Sequence, residues 1–258
     1  MDLQLRGKRA LVTGGSRGIG FGIANLLAEE GCNLALCSRS VDSLESARAA
    51  LLKTNPGIAV DLYPADLGSP ESTAGLAAAC GPVDILINNA GAIPQAPIEE
   101  MDDAQWRAAW ELKVFGYINL TRAVYTGMKA RKSGVVLNII GIAGERPLPS
   151  YLAGSMANAA LMAMTRGLGI DGMSHGVRVV GLNPGNTETD RQVVRWKARA
   201  QKKFGDENRW RELVAGFPQG RLGTVDEVAA MAVFLCSPRS NYTNATVVTV
   251  DGGWTAAR

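Results

Sequence analysis

The sequence RALVTGGSRGIG, residues 9–20, decides the fold, because a short apolar run leads here directly into a glycine-rich turn. A segment with helical periodicity follows. A strand, a glycine turn and a helix in this order can present backbone N–H groups and a positive helix end to a pyrophosphate. The spacing is GxxxGxG rather than the more usual GxGxxG, so the strand and helix on either side strengthen the interpretation. The predicted dinucleotide contacts in this turn are Gly14, Ser16, Arg17, Gly18, Ile19 and Gly20.

The rest of the chain repeats the alternation of short apolar runs and longer segments with helical periodicity. This alternation is typical of βαβ units, and therefore of a parallel sheet covered by helices on both faces. No internal repeat or low-complexity linker interrupts it, so residues 1–258 are predicted to form a single α/β domain. The predicted strands are residues 9–12, 33–37, 59–63, 83–87, 135–140, 177–182 and 247–250.

One segment departs from this alternation after the sixth predicted strand. The stretch at about 190–217 is basic, contains Trp196 and Trp210, and is predicted to be an inserted helical pair or lid. A basic lid favours an anionic substrate such as a carboxylate or an acyl thioester, although a solvated amphipathic helix has the same composition. Arg146 is a second candidate for holding an anion.

The composition of the chain excludes several classes of protein. A net charge of +3 without a continuous basic stripe gives no basis for binding nucleic acid or a membrane surface. No stretch reaches the ~18 apolar residues of a membrane span and the N-terminus lacks the apolar region of a signal peptide, so a cytoplasmic protein is expected. Four cysteines without paired spacing and a single histidine, His175, indicate neither a disulfide framework nor a histidine-based metal site, and no metal is predicted.

The end of the second predicted strand bears on the choice of dinucleotide. A cofactor without a 2′-phosphate is usually held there by an acidic residue, roughly 20 residues past the glycines. This chain has Ser38 and Arg39 at that point. A guanidinium can pair with a 2′-phosphate through two hydrogen bonds, and Arg17 adds a second positive charge nearby. NADP(H) is therefore predicted in preference to NAD(H).

Further motifs follow in order along the chain. They are DL at 66–67, NNAG at 88–91, PGNTET at 184–189, RLGT at 221–224 and VDGG at 250–253. With these motifs the chain resembles the short-chain dehydrogenases/reductases over nearly its whole length. The resemblance implies a Rossmann fold with a doubly wound, seven-stranded parallel sheet. It also implies a homodimer or homotetramer built on the long helices that precede and follow the fifth strand.

The same resemblance implies where the remainder of the dinucleotide binds. The first of the five motifs contacts the adenine, NNAG lines its ribose, and PGNTET flanks the nicotinamide and diphosphate. The residues that it assigns to these contacts are Asp66, Leu67, Asn89, Ala90, Gly91, Pro184, Gly185, Thr187 and Thr189.

The catalytic positions of that family carry different residues in this chain. Family members use a Ser after the fifth strand, a Tyr with a Lys four residues beyond it, and an Asn on the preceding long helix. The register without gaps puts Gly141 at the Ser, Gly154 at the Tyr, Asn158 at the Lys and Lys113 at the Asn. A general acid typically contributes about 10²- to 10⁴-fold and an oxyanion donor about 10²- to 10³-fold, so a ketone reductase of this kind needs replacements.

Tyr151 offers a rival register, with Ser155 at the Lys position, but this register needs a deletion before the Tyr and an insertion after it. Tyr151, Ser155 and Asn158 also have the spacing to share one helical face, which allows a single polar cluster. In a relocated site, Lys113 or Tyr151 donates the proton and Ser155 or Asn158 polarises the carbonyl. These four are the candidate catalytic residues.

Three functions are consistent with these residues. The leading prediction is an NADP(H)-dependent oxidoreductase that acts on a carbonyl or alcohol substrate with a non-standard proton donor. The second is a non-redox enzyme, such as a lyase or isomerase, that keeps the nucleotide as a structural element. The third is a nucleotide-binding protein without turnover. The fold alone does not choose among them.

Overall fold

The computed structural model describes residues 1–257 and contains one parallel sheet in the order β3-β2-β1-β4-β5-β6-β7. Every neighbouring pair of strands is parallel. This confirms the predicted doubly wound α/β fold, with strand bounds that differ from the predicted ones by one or two residues. The strands are β1 Arg9–Thr13, β2 Asn33–Ser38, β3 Val60–Pro64, β4 Ile85–Asn88, β5 Gly134–Ile139, β6 Val177–Pro184 and β7 Val247–Val250.

Helices cover both faces of the sheet. The α-helices are α1 Gly18–Glu29, α2 Val41–Thr54, α3 Pro70–Cys80, α4 Asp103–Trp110, α5 Gly116–Arg131, α6 Leu152–Gly172, α7 Asp190–Phe204, α8 Trp210–Val214 and α9 Val225–Cys236. Apolar side chains of α1, α2 and α9 pack on one face, and those of α3 and α5 pack on the other. The inner strands are buried on both sides and so are mostly continuous apolar runs, whereas the edge strands β3 and β7 are partly exposed.

Side-chain caps set the starts of several helices. The Ser40 hydroxyl accepts the Ser43 N–H at the start of α2, and the Ser69 hydroxyl accepts the Ser72 N–H at the start of α3. Each cap satisfies one of the backbone donors that a helix start leaves unpaired.

The segment predicted as a helical pair forms α7 and α8. Its two tryptophans are buried together with Ala200, Val214 and Leu222 in a small separate core. This core fixes the segment beside the carboxyl ends of the strands.

The sheet topology places the candidate site. Strand order reverses between β1 and β4, and in open α/β sheets ligands bind outside the carboxyl ends of strands at such a reversal. The glycine turn after β1 and the NNAG motif after β4 lie on either side of this crevice. No helix in the described part of the chain has both the length and the apolar character needed to cross a membrane.

Candidate active site

The glycine turn after β1 is braced from the neighbouring strand. The Thr13 hydroxyl donates to the Ile87 carbonyl (3.2 Å) and accepts the N–H groups of Asn89 (2.8 Å) and Ala90 (3.1 Å). The Asn89 amide donates to the Thr13 carbonyl at 2.9 Å and to the Gly14 carbonyl at 3.3 Å. Asn89 therefore fixes the shape of the turn through its side chain.

Two glycines of the turn are required by its geometry. Gly18 has a φ of +57°, a backbone conformation that residues with a Cβ rarely adopt. A Cβ at Gly20 would overlap the Gly14 carbonyl oxygen and the Asn89 amide. Thr189, which caps α7, lies on the other side of the turn, 3.5 Å from the position of a Cβ on Gly18. The turn and Thr189 thus form a cradle with the space and the N–H donors for a diphosphate.

Two guanidinium groups flank this cradle, one in the glycine turn itself and one just after β2. Arg17 and Arg39 are both exposed, and neither forms a salt bridge with any carboxylate of residues 1–257. Asp66 is also exposed, with one oxygen accepting the Gly68 N–H (3.0 Å), whereas the side chain of Leu67 is buried in the core. These exposed polar and charged groups suit the binding of a nicotinamide dinucleotide.

Lys113 lies in a π-helical turn, Glu111–Phe115, that joins α4 to α5. Such wide turns are frequent at functional sites. The Lys113 Nζ donates to the carbonyl of Ile140 at 2.7 Å, and its alkyl chain packs on the Cα of Gly91, where a Cβ would be 2.9 Å from Cδ. Burial of this half-buried side chain, and secondarily the charge of Arg191, lower the pKa of Lys113 to about 8. An amine with this pKa exchanges protons readily near neutral pH.

Gly141 and Asn158 meet at the end of β5. The Asn158 amide donates to the Gly141 carbonyl (3.2 Å), and its nitrogen is 3.1 Å from the position of a Cβ on Gly141. The Gly141 N–H donates to the Asn183 side chain at 3.2 Å. The Oδ1 of Asn158 is buried without a hydrogen-bond partner in the described structure. An amide side chain therefore lies where a side chain at position 141 would begin.

Tyr151 fills the space beside Gly154. A Cβ at Gly154 would overlap the phenol ring of Tyr151, so the ring occupies the volume that a side chain at 154 would enter. Tyr151 packs in an apolar cluster with Val114, Ala153 and Ala157. Burial raises the pKa of its hydroxyl, against the opposing charges of Arg191 and Arg195.

The expected polar cluster of Tyr151, Ser155 and Asn158 does not form. Tyr151 precedes α6 in a short 3₁₀ turn with ψ of 37°, which turns its ring onto Gly154. The Ser155 hydroxyl is buried and accepts the Leu148 N–H (3.2 Å), whereas Asn158 donates to the loop after β5. Ser155 and Asn158 both lie on the buried side of α6, as their spacing predicted, but each side chain forms its hydrogen bond with a backbone group outside the helix.

Arg146 does not face the crevice as an anion clamp. Its guanidinium donates to the carbonyls of Trp254 (2.9 Å) and Ala257 (3.1 Å) and stacks over the Trp254 ring at 5.5 Å. The guanidinium of Arg146, which the sequence suggested as a group that holds an anion, is thus bound to the C-terminal segment.

Arg191 and Arg195 face the same region as Lys113 and Tyr151. The Arg191 Nη1 donates to the carbonyl of Gly91 at 3.2 Å, and burial is the main cause that lowers the pKa of Arg191. Arg195 contributes to the same shift, and both arginines act on Tyr151. The mouth of the crevice is therefore positively charged.

Comparisons with known proteins agree with this geometry. A family model described as enoyl-(acyl carrier protein) reductase matches residues 14–255. A gluconate 5-dehydrogenase of Gluconobacter oxydans is 35% identical, over 98% of this chain and 96% of that one. The chain belongs to the short-chain dehydrogenase/reductase family. It is accordingly an NAD(P)-dependent oxidoreductase by family.

Two other members of the short-chain dehydrogenase/reductase family extend the comparison. The 3-oxoacyl-[acyl-carrier-protein] reductase FabG of Chlamydia muridarum is 33% identical, over 98% of this chain and 99% of its own. The crystal structure of L-sorbose reductase from Gluconobacter frateurii, complexed with NADPH and L-sorbose, superposes with a TM-score of 0.94. That chain is 31% identical, with 100% of both chains covered. The fold of this short-chain dehydrogenase/reductase is thus shared along its full length.

Sequence reasoning missed two residues that shape the candidate site of this family member. Asn183, fully buried in β6, accepts the Gly141 N–H and donates to the Glu145 carboxylate at 3.0 Å. Tyr117, one helical turn after Lys113, donates its hydroxyl to the Ile139 carbonyl at 3.0 Å. A polar residue inside an apolar strand was the available signal for Asn183, whereas the sequence gives none for the partner of Tyr117.

Proposed function

We propose that this protein is an NADP(H)-dependent oxidoreductase that reduces a carbonyl substrate, or oxidises the corresponding alcohol, with Lys113 as its proton donor. The observation that carries the proposal is the placement of the Lys113 amine. It is held by the Ile140 carbonyl at the carboxyl edge of the sheet, with its alkyl chain against Gly91 of the NNAG motif.

The preference for NADP(H) is supported by charge. Arg17 and Arg39 are exposed and unpaired by any carboxylate of the described chain, and no acidic residue follows β2 before α2 begins. A 2′-phosphate pairs favourably with such guanidinium groups, whereas the unphosphorylated cofactor gains nothing from them.

Lys113 is a better proton donor here than Tyr151. A group with a pKa near the working pH combines a useful protonated fraction with a useful driving force for transfer. Burial moves the pKa of Lys113 towards that range and moves the pKa of Tyr151 away from it. In addition, the Tyr151 ring packs among apolar side chains, as expected for a residue that fills a void.

The chain offers one group to polarise the carbonyl. The Asn158 amide has two N–H groups, of which one donates to the Gly141 carbonyl. We assign the second N–H, on this 3% exposed side chain, to a substrate oxygen beside Gly141. Ser155 is equally buried, but its hydroxyl bonds the Leu148 N–H and not the loop after β5, so we do not assign it this role.

The proposed chemistry assigns one step to each residue. Bound NADPH supplies the hydride for the carbonyl carbon. As the oxygen gains charge, the Lys113 ammonium transfers one proton to it and becomes a neutral amine. The amine keeps an N–H for Ile140, and a proton from solvent restores the ammonium. In the direction of alcohol oxidation the neutral amine accepts the proton instead.

The experiment is NADPH titration followed by turnover on ketones, oxo acids and acyl thioesters. We expect submicromolar-to-micromolar binding that distinguishes NADPH from NADH, and oxidation of NADPH on at least one class. Arg39→Asp should raise the Kd for NADPH much more than that for NADH, whereas Lys53→Asp, the same charge change at the far end of α2, should not. Equal effects on both cofactors would refute the assigned preference.

Lys113→Met tests the proton donor in the same assay. We expect kcat to fall by about 10²- to 10⁴-fold with the Kd for NADPH unchanged. Lys202→Met removes the same charge from an exposed position on α7 and should leave kcat unaltered. Tight NADPH binding without oxidation of any substrate contradicts the redox proposal and favours the nucleotide-binding protein without turnover, which the four altered catalytic positions would then explain.

A further inference from the structure

The basic residues of the segment 190–214 fall into three groups: some pair with carboxylates, three on the later part of α7 (Arg199, Lys202 and Lys203) are exposed and have no carboxylate partner, and two lie near the start of α7. The carboxylate pairs are Lys197 with Glu207 (3.3 Å), Arg209 with Glu212 (2.7 Å) and Arg211 with Glu188 (3.9 Å). Arg191 and Arg195 also lack a carboxylate within ion-pair distance in the described chain, and they differ from the other unpaired basic residues of α7 because they lie beside Gly91 and Tyr151. Their hydrogen bonds go to neutral acceptors, the Gly91 carbonyl (3.2 Å) and the Gln192 side chain (3.5 Å).

The placement of this pair is electrostatically unfavourable without a ligand. The two residues are spaced i, i+4 on α7, so their side chains lie on one face, and like charges at this spacing repel. Arg191 also lies in the first turn of the helix, where the positive end of the backbone dipole disfavours a cation. Arg195 and Arg17 both add to the lowering of the pKa of Arg191 that burial begins. An anion bound between the pair would remove these costs together.

The pair is connected to the proposed proton donor through Gly91. Arg191 binds the carbonyl of Gly91, and the Lys113 side chain packs on its Cα. An anion held by Arg191 is therefore close to the reacting end of the crevice. The pair also lies near the diphosphate cradle, because Thr189 caps the same helix and Arg17 of the glycine turn acts on Arg191, so the test measures the Kd for NADPH beside the KM for substrate.

We propose that Arg191 and Arg195 bind the carboxylate of an oxo-acid substrate whose ketone is reduced beside Lys113; this inference rests on the proposed function. Planar guanidinium groups match a carboxylate through paired hydrogen bonds. A free oxo acid places its charge near its ketone. In an acyl thioester the neighbouring carboxyl is esterified and neutral, so the two arginines favour the free acid.

The carboxylate also acts on the proton donor. The charge of Arg191 is one of the two causes that lower the pKa of Lys113, after burial. A bound carboxylate neutralises this charge, so the amine binds its proton more tightly when the substrate is present. Substrate binding and loading of the proton for reduction are thereby coupled, and protons should be taken up when an oxo acid binds near pH 8.

The test compares oxo acids with their neutral esters. Acetoacetate and levulinate, each paired with its methyl ester, are assayed on the wild type, Arg191→Met, Arg195→Met and the control Lys202→Met. We expect KM for the acids to rise about 10- to 100-fold in each arginine variant, as for loss of a charge-assisted hydrogen bond. KM for the esters, the Kd for NADPH and all values for the control should change less than threefold.

Several results would overturn the proposal. Equal losses on acid and ester place the arginines outside carboxylate recognition, and a matching rise in the Kd for NADPH assigns them to the cofactor phosphates. Better turnover of dihydroxyacetone phosphate than of either oxo acid replaces the carboxylate with a phosphate.

A binding measurement separates this inference from the proposed function. Calorimetry of acetoacetate with the NADPH complex, in buffers of different ionisation enthalpy, reports affinity and proton uptake without turnover. Binding that is lost in Arg191→Met, with no oxidation of NADPH on any substrate, supports the carboxylate site while contradicting the redox function. Absence of binding in the wild type overturns the site.

Discussion

The Lys113 amine donates a hydrogen bond to a backbone carbonyl and is partly buried beside a second cation, Arg191. The carbonyl stabilises the N–H donor in either protonation state. Burial and Arg191 disfavour only the charged state, and so the pKa falls to about 8. This residue therefore determines the pH dependence that we expect of the protein.

Reduction should lose activity as pH rises through about 8, because only the ammonium can donate a proton. The kcat/KM of carbonyl reduction should be constant below this pH and fall tenfold per pH unit above it. The kcat/KM of alcohol oxidation should be constant above this pH and fall tenfold per pH unit below it. Lys113→Met should abolish both limbs, and Tyr151→Phe should keep them. A limb that survives in Lys113→Met and disappears in Tyr151→Phe would assign the proton to Tyr151.

Stability gives an independent check on the same group. Between about pH 8 and the ordinary lysine pKa of about 10.4, the native state has released a proton that the unfolded chain still binds. The free energy of unfolding should therefore rise with pH over this interval in the wild type relative to Lys113→Met. Below pH 8 both states are protonated and the difference between the two proteins should be constant.

At the scale of elements, α1 and α9 approach each other closely at one glycine. A Cβ at Gly22 would overlap Cγ1 of Val225, the first residue of α9. This contact fixes the distance between the glycine turn at the start of α1 and the segment that leads into α9. The glycine is thus required by packing and not by backbone conformation.

Gly22→Ala should lower the free energy of unfolding by about 1–3 kcal/mol, because the added methyl group overpacks the helix contact. Val225→Ala in the same chain should recover most of that loss. Gly75→Ala on α3, where a Cβ meets no atom within 4 Å, should instead stabilise by about 0.5–1 kcal/mol. Denaturant unfolding measures all of them. A Gly22→Ala protein as stable as the wild type would contradict the close contact.

The elements also show which features the sequence could predict. The strands and the glycine turn depend on neighbouring residues, and both were predicted correctly; the caps at Ser40 and Ser69 are equally local. The partners of Ser155, Arg146 and Tyr151 were not, because each pairs with groups whose proximity depends on loop geometry. The π-helical turn that carries Lys113 likewise has no local sequence signal.

At the scale of the whole molecule, α6 presents an apolar surface outward. The stretch 158–164 of this helix is composed mainly of small and apolar residues, but Asn158, Leu161 and Met162 face the interior. The exposed residues include Met156 (47% exposed), Ala159, Ala160, Ala163 and Ile170 (61% exposed), with Arg166 and Gly167 exposed among them. Small residues on such a face allow a second helix to approach closely, and the homodimer or homotetramer stays a prediction on this face.

Sedimentation equilibrium should give two or four times the chain mass of 27.2 kDa. Ala163→Arg should shift the protein to the monomer while its circular dichroism is retained, because the charged side chain opposes burial at an interface. Ala78→Arg on the exposed side of α3 should not alter the mass. A monomeric wild type, or an oligomer that tolerates the arginine, would remove α6 as the interface.

The ring of Tyr151 and a side chain at position 154 exclude each other, since both would occupy the same volume. Among chains of this fold, the two positions should therefore covary. An aromatic ring turned inward from 151 should occur with glycine at 154, and a tyrosine at 154 with a residue at 151 that points elsewhere. Introducing a tyrosine at 154 alone would displace the ring, so a tyrosine side chain can be accommodated there only by two coupled changes at these positions.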